Sequence, residues 1–197
     1  MSEITNSGWD VLDRAHQALR STVAGVPAGA WRRPTPCAEW NVAQVLQHAA
    51  GDQLAYASAI TGAPGPDFDP FAPSGALDRA PADLLDPALA ASAAAWATIA
   101  PDAAQAPVPL PPHSLPPWLG SGAAALDAAV HAWDIAVATG QESPLTGALA
   151  RDLLIVAKEI VEPLRQYGAY APAIEAEDTG DVTALLHYLG RDPHWTA

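Results

Sequence analysis

Thirteen of the chain's 20 prolines fall between Pro64 and Pro117. Proline removes a backbone donor and fixes φ, so this stretch cannot form a long regular element, and the fold has to be built from what lies on either side. One alanine-rich run inside it, from about Asp83 to Ile99, has the composition of a helix. The remainder predicts extended loop. Loops of such length inside a compact domain are functional lids or disordered segments, and Phe68, Phe71, Trp96 and Trp118 argue for packing. The segment between Gly62 and Trp118 is therefore expected to cover the mouth of a cavity between helices, with Trp118 touching substrate.

Both flanks read as helix. Trp9, Leu12, His16, Leu19 and Val23 recur at three- and four-residue steps and make one apolar stripe that ends near Gly25. Asn41 can cap a second helix, with Gln44 as reciprocal partner in a capping box and Gly62 at its end. Its inward positions include Val42, Val45, Leu46, Ala49 and Tyr56. A fourth helix is predicted from near Ser121 to Gly140, and a fifth from about Leu145 to Gln166, where Pro163 should kink or end it. Residues 167–181 read as irregular, and Val182 to Leu189 as a last short helix. No segment alternates with period two, so the fold class is all-α, a helical bundle with a long Pro-rich loop region and a short C-terminal helix.

Charge and composition exclude several functions. With 9 Lys and Arg against 22 Asp and Glu the net charge is -13, and no basic cluster larger than Arg32 and Arg33 offsets it, which excludes a nucleic-acid partner. The lone Cys37 excludes an internal disulfide and an all-cysteine zinc site. A chain of this length buries about 70 % of its unfolded surface unaided, so a metal would serve chemistry and not folding. The longest uncharged stretches are short or broken by proline, and the N-terminal residues show no basic region followed by an apolar run. A cytoplasmic protein that does not enter the membrane is expected, as monomer or homodimer. Neither a Gly-rich nucleotide loop nor a Gly-x-Ser-x-Gly elbow is present.

Chemistry concentrates on the fourth helix. Leu126, Val130, Trp133 and Val137 form its core stripe, while Asp127, His131 and Asp134 form a second stripe beside it. Asp127 and His131 are four residues apart, so both project from one face and can close on a single divalent ion; an ordinary helix ion pair explains the same spacing. His48, two turns into the second helix, would face the fourth across the bundle, either as a third ligand or as a satisfied core histidine. Two imidazoles and one carboxylate leave a metal open positions, as catalytic sites require. Asp134 could steer the His131 ring from behind or be a plain helix-surface carboxylate, and with Trp118 it is a candidate for the substrate pocket. Cys37 reads as a buried structural thiol, or near a metal as nucleophile or ligand; His16 reads as core packing, His113 as an exposed loop residue or one that swings over the site, and His187 and His194 as C-terminal surface residues.

At these residues a resemblance becomes specific. The run Trp31 to Val42, Trp-Arg-Arg-Pro-Thr-Pro-Cys-Ala-Glu-Trp-Asn-Val, followed by His48, resembles the N-terminal signature of the DinB-like metal-binding proteins related to mycothiol-dependent maleylpyruvate isomerase. Leu126 to Ala136 with Ala138-Thr139-Gly140 resembles their second signature, and the close Leu189-Gly190-Arg191-Asp192-Pro193 is similar to their C-terminal end. The resemblance implies a DinB-type four-helix bundle, a single domain over residues 1–197. It also implies a divalent metal, usually zinc, at His48, Asp127 and His131, the isomerase having Glu where this chain has Asp127. A low-molecular-weight thiol such as mycothiol would be the co-substrate, and a small electrophilic molecule the substrate. Three activities are compatible: a metal-dependent thiol transferase or thiol-dependent isomerase, a non-catalytic metal- or ligand-binding bundle, or a cyclase or hydrolase of specialised metabolism.

Overall fold

The computed structural model describes residues 7–166, 168–175 and 180–196. The expectations for the first six residues, and for positions 167 and 176–179 of the predicted irregular tail, lie outside the described residues. Among the described residues six helices appear, in the order α1 (Asp10–Ala24), α2 (Val42–Thr61), α3 (Pro81–Trp96), α4 (Pro117–Thr139), α5 (Gly147–Arg165) and α6 (Asp181–Tyr188). The fold is the expected all-α bundle. A two-residue antiparallel ribbon, β1 (Ala106–Pro107) with β2 (Ser114–Leu115), interrupts the second half of the Pro-rich stretch and was not legible in the sequence. Among the described residues no helix is long and apolar enough to cross a membrane.

The central element is α4, which packs against α1, α2 and α5 and buries 20 of its 23 residues. Eight alanines and two glycines make that possible, because small side chains let neighbouring helices close in from every direction. The helix starts one turn before the predicted Ser121, because Pro117 occupies its first turn, where the fixed φ suits a helix and the missing N–H was never needed. Likewise Pro81 opens α3, which stops at Trp96, three residues short of the predicted end.

The second helix is held at its start by the residues before it. Val42 and Ala43 donate their backbone N–H groups to the carbonyls of Arg33 and Trp31, at 3.1 and 2.9 Å. Gln44 N–H meets the Asn41 side chain at 3.0 Å and returns its own amide oxygen to the Asn41 N–H, completing the capping box. The orphan donors of the first turn are thus satisfied, and the loop 31–41 is closed over the end of α2.

Beyond Gly62 the chain doubles back along α2 as a strap. Gln44 donates to the Pro73 carbonyl at 3.0 Å, Gln47 to the Ala76 carbonyl at 2.7 Å, and His48 Nδ1 to the Pro70 carbonyl at 2.9 Å. Residues 44, 47, 48 and 51 lie on one helix face. At Gly51 the face has no side chain, and a Cβ there would stand 2.8 Å from the Pro70 ring and 3.0 Å from Phe68.

A polar network crosses the apolar centre. His16 Nε2 donates to the Gln53 side-chain oxygen at 2.8 Å, Ser92 donates to the same oxygen at 2.8 Å, and the Gln53 amide donates to the Ala124 carbonyl at 3.0 Å. These four residues belong to α1, α2, α3 and α4, and the apolar stripe of α1 brings His16 there. Burial pushes the imidazole pKa down to about 4, against a smaller opposing effect of the Gln53 bond.

Two expectations follow from these contacts. His16 stays neutral in the folded chain while the unfolded chain protonates near pH 6.5, so its contribution is complete above pH 6.5 and is lost as pH falls towards 4. Between pH 7 and 5 urea unfolding should show a loss of roughly 2 kcal/mol from this group, largely absent in His16→Gln. Equal losses in both proteins would place the titration elsewhere. Gly51→Ala should improve the helix by about 1 kcal/mol in propensity yet drive the strap off it. Cleavage by a protease within residues 68–76 should then accelerate with helical circular dichroism unchanged, and an unaltered cleavage rate would contradict the close contact.

Candidate metal centre

The strap and the capped helix fix one imidazole. His48 donates Nδ1–H to the Pro70 carbonyl, which can only accept, so the opposite nitrogen Nε2 carries the lone pair or the second proton and points inward. Trp40 packs against the same ring at 4.7 Å between centroids, and Phe71 edge-on at 5.5 Å. His48 Nε2 lies 3.2 Å from Asp127 Oδ1.

The second imidazole is fixed from the other side. His131 Nδ1 is 2.9 Å from Asp134 Oδ2, and His131 Nε2 faces Asp127 Oδ1 at 3.4 Å. The two rings stand nearly perpendicular with centroids 4.9 Å apart. One ligand atom each from His48, Asp127 and His131 falls within 4.8 Å of the others. Both histidines therefore have Nδ1 occupied by an oriented acceptor and present Nε2 to one carboxylate oxygen, which is how ligating imidazoles are held.

Electrostatics follow from the burial of α4. Burial works to lower His131, but Asp127, and then Asp134, outweigh it and push the imidazole up to about 10. Burial works to raise Asp127, and the neighbouring His131 and His48 hold it below the usual carboxylate range. The second Asp127 oxygen, Oδ2, is buried and has no hydrogen-bond partner. Leaving such an atom unmet costs about 1–3 kcal/mol, more for a charged group, and a cation between the three residues would meet it. Two imidazole nitrogens and a carboxylate are the donor set of an open zinc site, so the residues present fit a divalent ion of that kind.

Two residues of the surroundings, Asp52 and Arg191, were not anticipated from sequence as part of the site. Asp52, one helical turn after His48, is buried, and burial together with the charge of Asp127 pushes its carboxyl well above the usual range. The spacing of four from His48 could have drawn attention to it. Tyr56, a further turn along, is buried too, and burial likewise raises its phenol. Arg191, within the quoted C-terminal run, makes two hydrogen bonds of 2.9 Å to Asp134, one to each oxygen. Cys37 is half-buried, with a sulfur within 4.8 Å of ligand atoms of His131 and Asp134, and burial raises its thiol.

Other sequence candidates lie apart. Trp118 sits in the first turn of α4, nine residues before Asp127 and so about 14 Å away along the axis. It is 49 % exposed and lines a surface groove with Trp9, Ile155 and Val156, so the structure does not bring it to the imidazoles. The half of the Pro-rich stretch that does lie against His48 is the strap at Pro70 and Phe71. His16 belongs to the core network, and His113 is exposed at the turn of the β-ribbon.

Comparison with known proteins supplies relatives and a family. Two uncharacterized proteins of Mycobacterium tuberculosis, from strains CDC 1551 and H37Rv, are each 32 % identical over 152 residues, covering 76 % of this chain and 77 % of theirs. No solved structure matches the chain significantly. Residues 12–136, which run from the first turn of α1 to the last turn of α4 and include His48, Asp127, His131 and Asp134, match the family model described as the mycothiol maleylpyruvate isomerase N-terminal domain, and the chain belongs to that family.

Proposed function

We propose that this chain is a divalent-metal enzyme of thiol chemistry, a thiol transferase or thiol-dependent isomerase acting on a small electrophile. The observation that carries the reading is the convergence of His48 Nε2, His131 Nε2 and the buried, half-unpartnered Asp127 carboxylate. These three would hold the ion, and zinc matches their donor types. When bound, such an ion lowers the pKa of a coordinated thiol so that thiolate is present at neutral pH. Mycothiol is the thiol that the family's description suggests.

The chain's own residues supply the rest. Pro70 and Asp134 orient the two imidazoles, and the Trp40 and Phe71 rings pack against His48 on the strap side. Asp52 is buried one helical turn after His48, and burial with the charge of Asp127 raises its carboxyl, which favours the protonated form that a proton donor to the substrate would need.

Elemental analysis of the purified protein, followed by a thiol-adduct assay against electrophiles with and without chelator, tests the reading. About one zinc per chain and turnover abolished by chelation are expected. Metal without turnover would assign the chain to ligand binding, and turnover needing neither metal nor thiol would assign it to cyclisation or hydrolysis. His131→Ala should lose the metal and the activity while keeping a cooperative thermal transition, because the core around α4 is built from apolar contacts independent of the site. Loss of helical signal at room temperature in that variant would show that the site also holds the fold.

A further inference from the structure

We infer that Arg191 is a positioning residue for the metal site, acting through Asp134 on His131, so that the turn at residues 189–193 sets how tightly the ion is held. The inference rests on the metal reading above. Asp134 is fully buried, so its carboxylate has only protein groups to define its orientation. Arg191 grips both oxygens, Nε to Oδ1 and Nη2 to Oδ2, each at 2.9 Å. A planar fork on a planar carboxylate fixes the plane of the carboxylate as well as its position. That plane determines where the remaining lone pair of Oδ2 points, and it is this oxygen that accepts from His131 Nδ1 at 2.9 Å. The direction of His131 Nε2 towards Asp127 is the far end of the same chain of contacts.

Arg191 is itself placed by a turn with little freedom. Gly190 adopts φ +74°, and a Cβ there would stand 2.6 Å from the Pro172 carbonyl oxygen, so only glycine passes. The Arg191 N–H then bonds the Leu186 carbonyl at 2.8 Å, closing the end of α6 and turning the side chain back towards α4. The guanidinium is 12 % exposed. Its charge also neutralises Asp134, so Asp127 remains the carboxylate facing the ion.

A plain staple between the tail and α4 would use the same bonds, and the tail has a second anchor that separates the two roles. Arg165 donates to the carbonyls of Ala171 and Tyr188 and has no bond to Asp134. In the full-length chain, zinc affinity measured by competition with a chromophoric chelator should fall about 10- to 100-fold in Arg191→Met. Arg191→Lys, which keeps the charge and loses the fork, should fall between the two. Asp134→Asn should weaken zinc comparably, and the double variant with Arg191→Met should be no weaker than the worse single one. The visible spectrum of the cobalt-loaded protein should change in Arg191→Met. Arg165→Met should lower the melting temperature with zinc affinity and cobalt spectrum retained.

Wild-type affinity in folded Arg191→Met, or an equal fall in Arg165→Met, overturns the inference. Should Arg191→Met fail to fold, Arg191→Lys decides, wild-type affinity and cobalt spectrum overturning it. A wild-type chain that binds no zinc overturns the metal reading and this inference together, whereas tight binding by wild type and variant alike overturns the inference alone.

Discussion

A helix surrounded by other helices has no water-facing side, and everything polar on it must find its partner inside the protein. That condition governs α4, where only Trp118, Asp127 and Val137 escape full burial. Each alanine methyl contributes only about 0.8 kcal/mol on burial, so the alanines matter less for their own burial than for the closeness they allow. Closeness in turn removes solvent from Asp127, His131 and Asp134. A buried charge without a partner costs several kcal/mol, so the three must be paired with one another and with groups brought from elsewhere.

The partners arrive from separate stretches of chain and differ in kind. His48 is oriented by a neutral carbonyl on a strap, and His131 by a carboxylate that is itself gripped by an arginine from beyond α6. The signature runs of the family acquire physical meaning in this light. Trp31 to Val42 closes the first turn of α2 and sets Trp40 against His48, while the run on α4 carries the acidic and imidazole groups. Gly190-Arg191 returns the chain to the back of the second imidazole.

What could be read from the sequence was local. The capping box at Asn41, the stripe on α1, the glycine ends of α2 and α4 and the spacing of four between Asp127 and His131 all depend on residues within a turn or two of each other. Arg191 meets Asp134 across 57 positions and Pro70 meets His48 across 22, distances at which no periodicity carries information. Trp118 shows a different limit. On a helix that is buried on nearly every side, sequence pattern gives no single outward direction, so the side on which a given residue emerges cannot be derived from it. Asp52 was hidden for the opposite reason: it sits on a face that sequence reading assigns to apolar packing, between Ala49 and Tyr56.

Alanine-lined helices present smooth surfaces, and two such helices displaced by a turn would still find small residues opposite small residues. The bonds joining His16, Gln53, Ser92 and the Ala124 carbonyl remove that ambiguity, because one amide can satisfy all its neighbours only at one alignment of four helices. A buried amide so connected acts as a registration mark: it contributes little net energy, but every misaligned arrangement would leave its polar atoms stranded. Gln53 follows His48 by little more than a turn, and Ala124 precedes Asp127 by less than one. The alignment that satisfies the amide is therefore the one that brings the imidazole of α2 level with the carboxylate of α4.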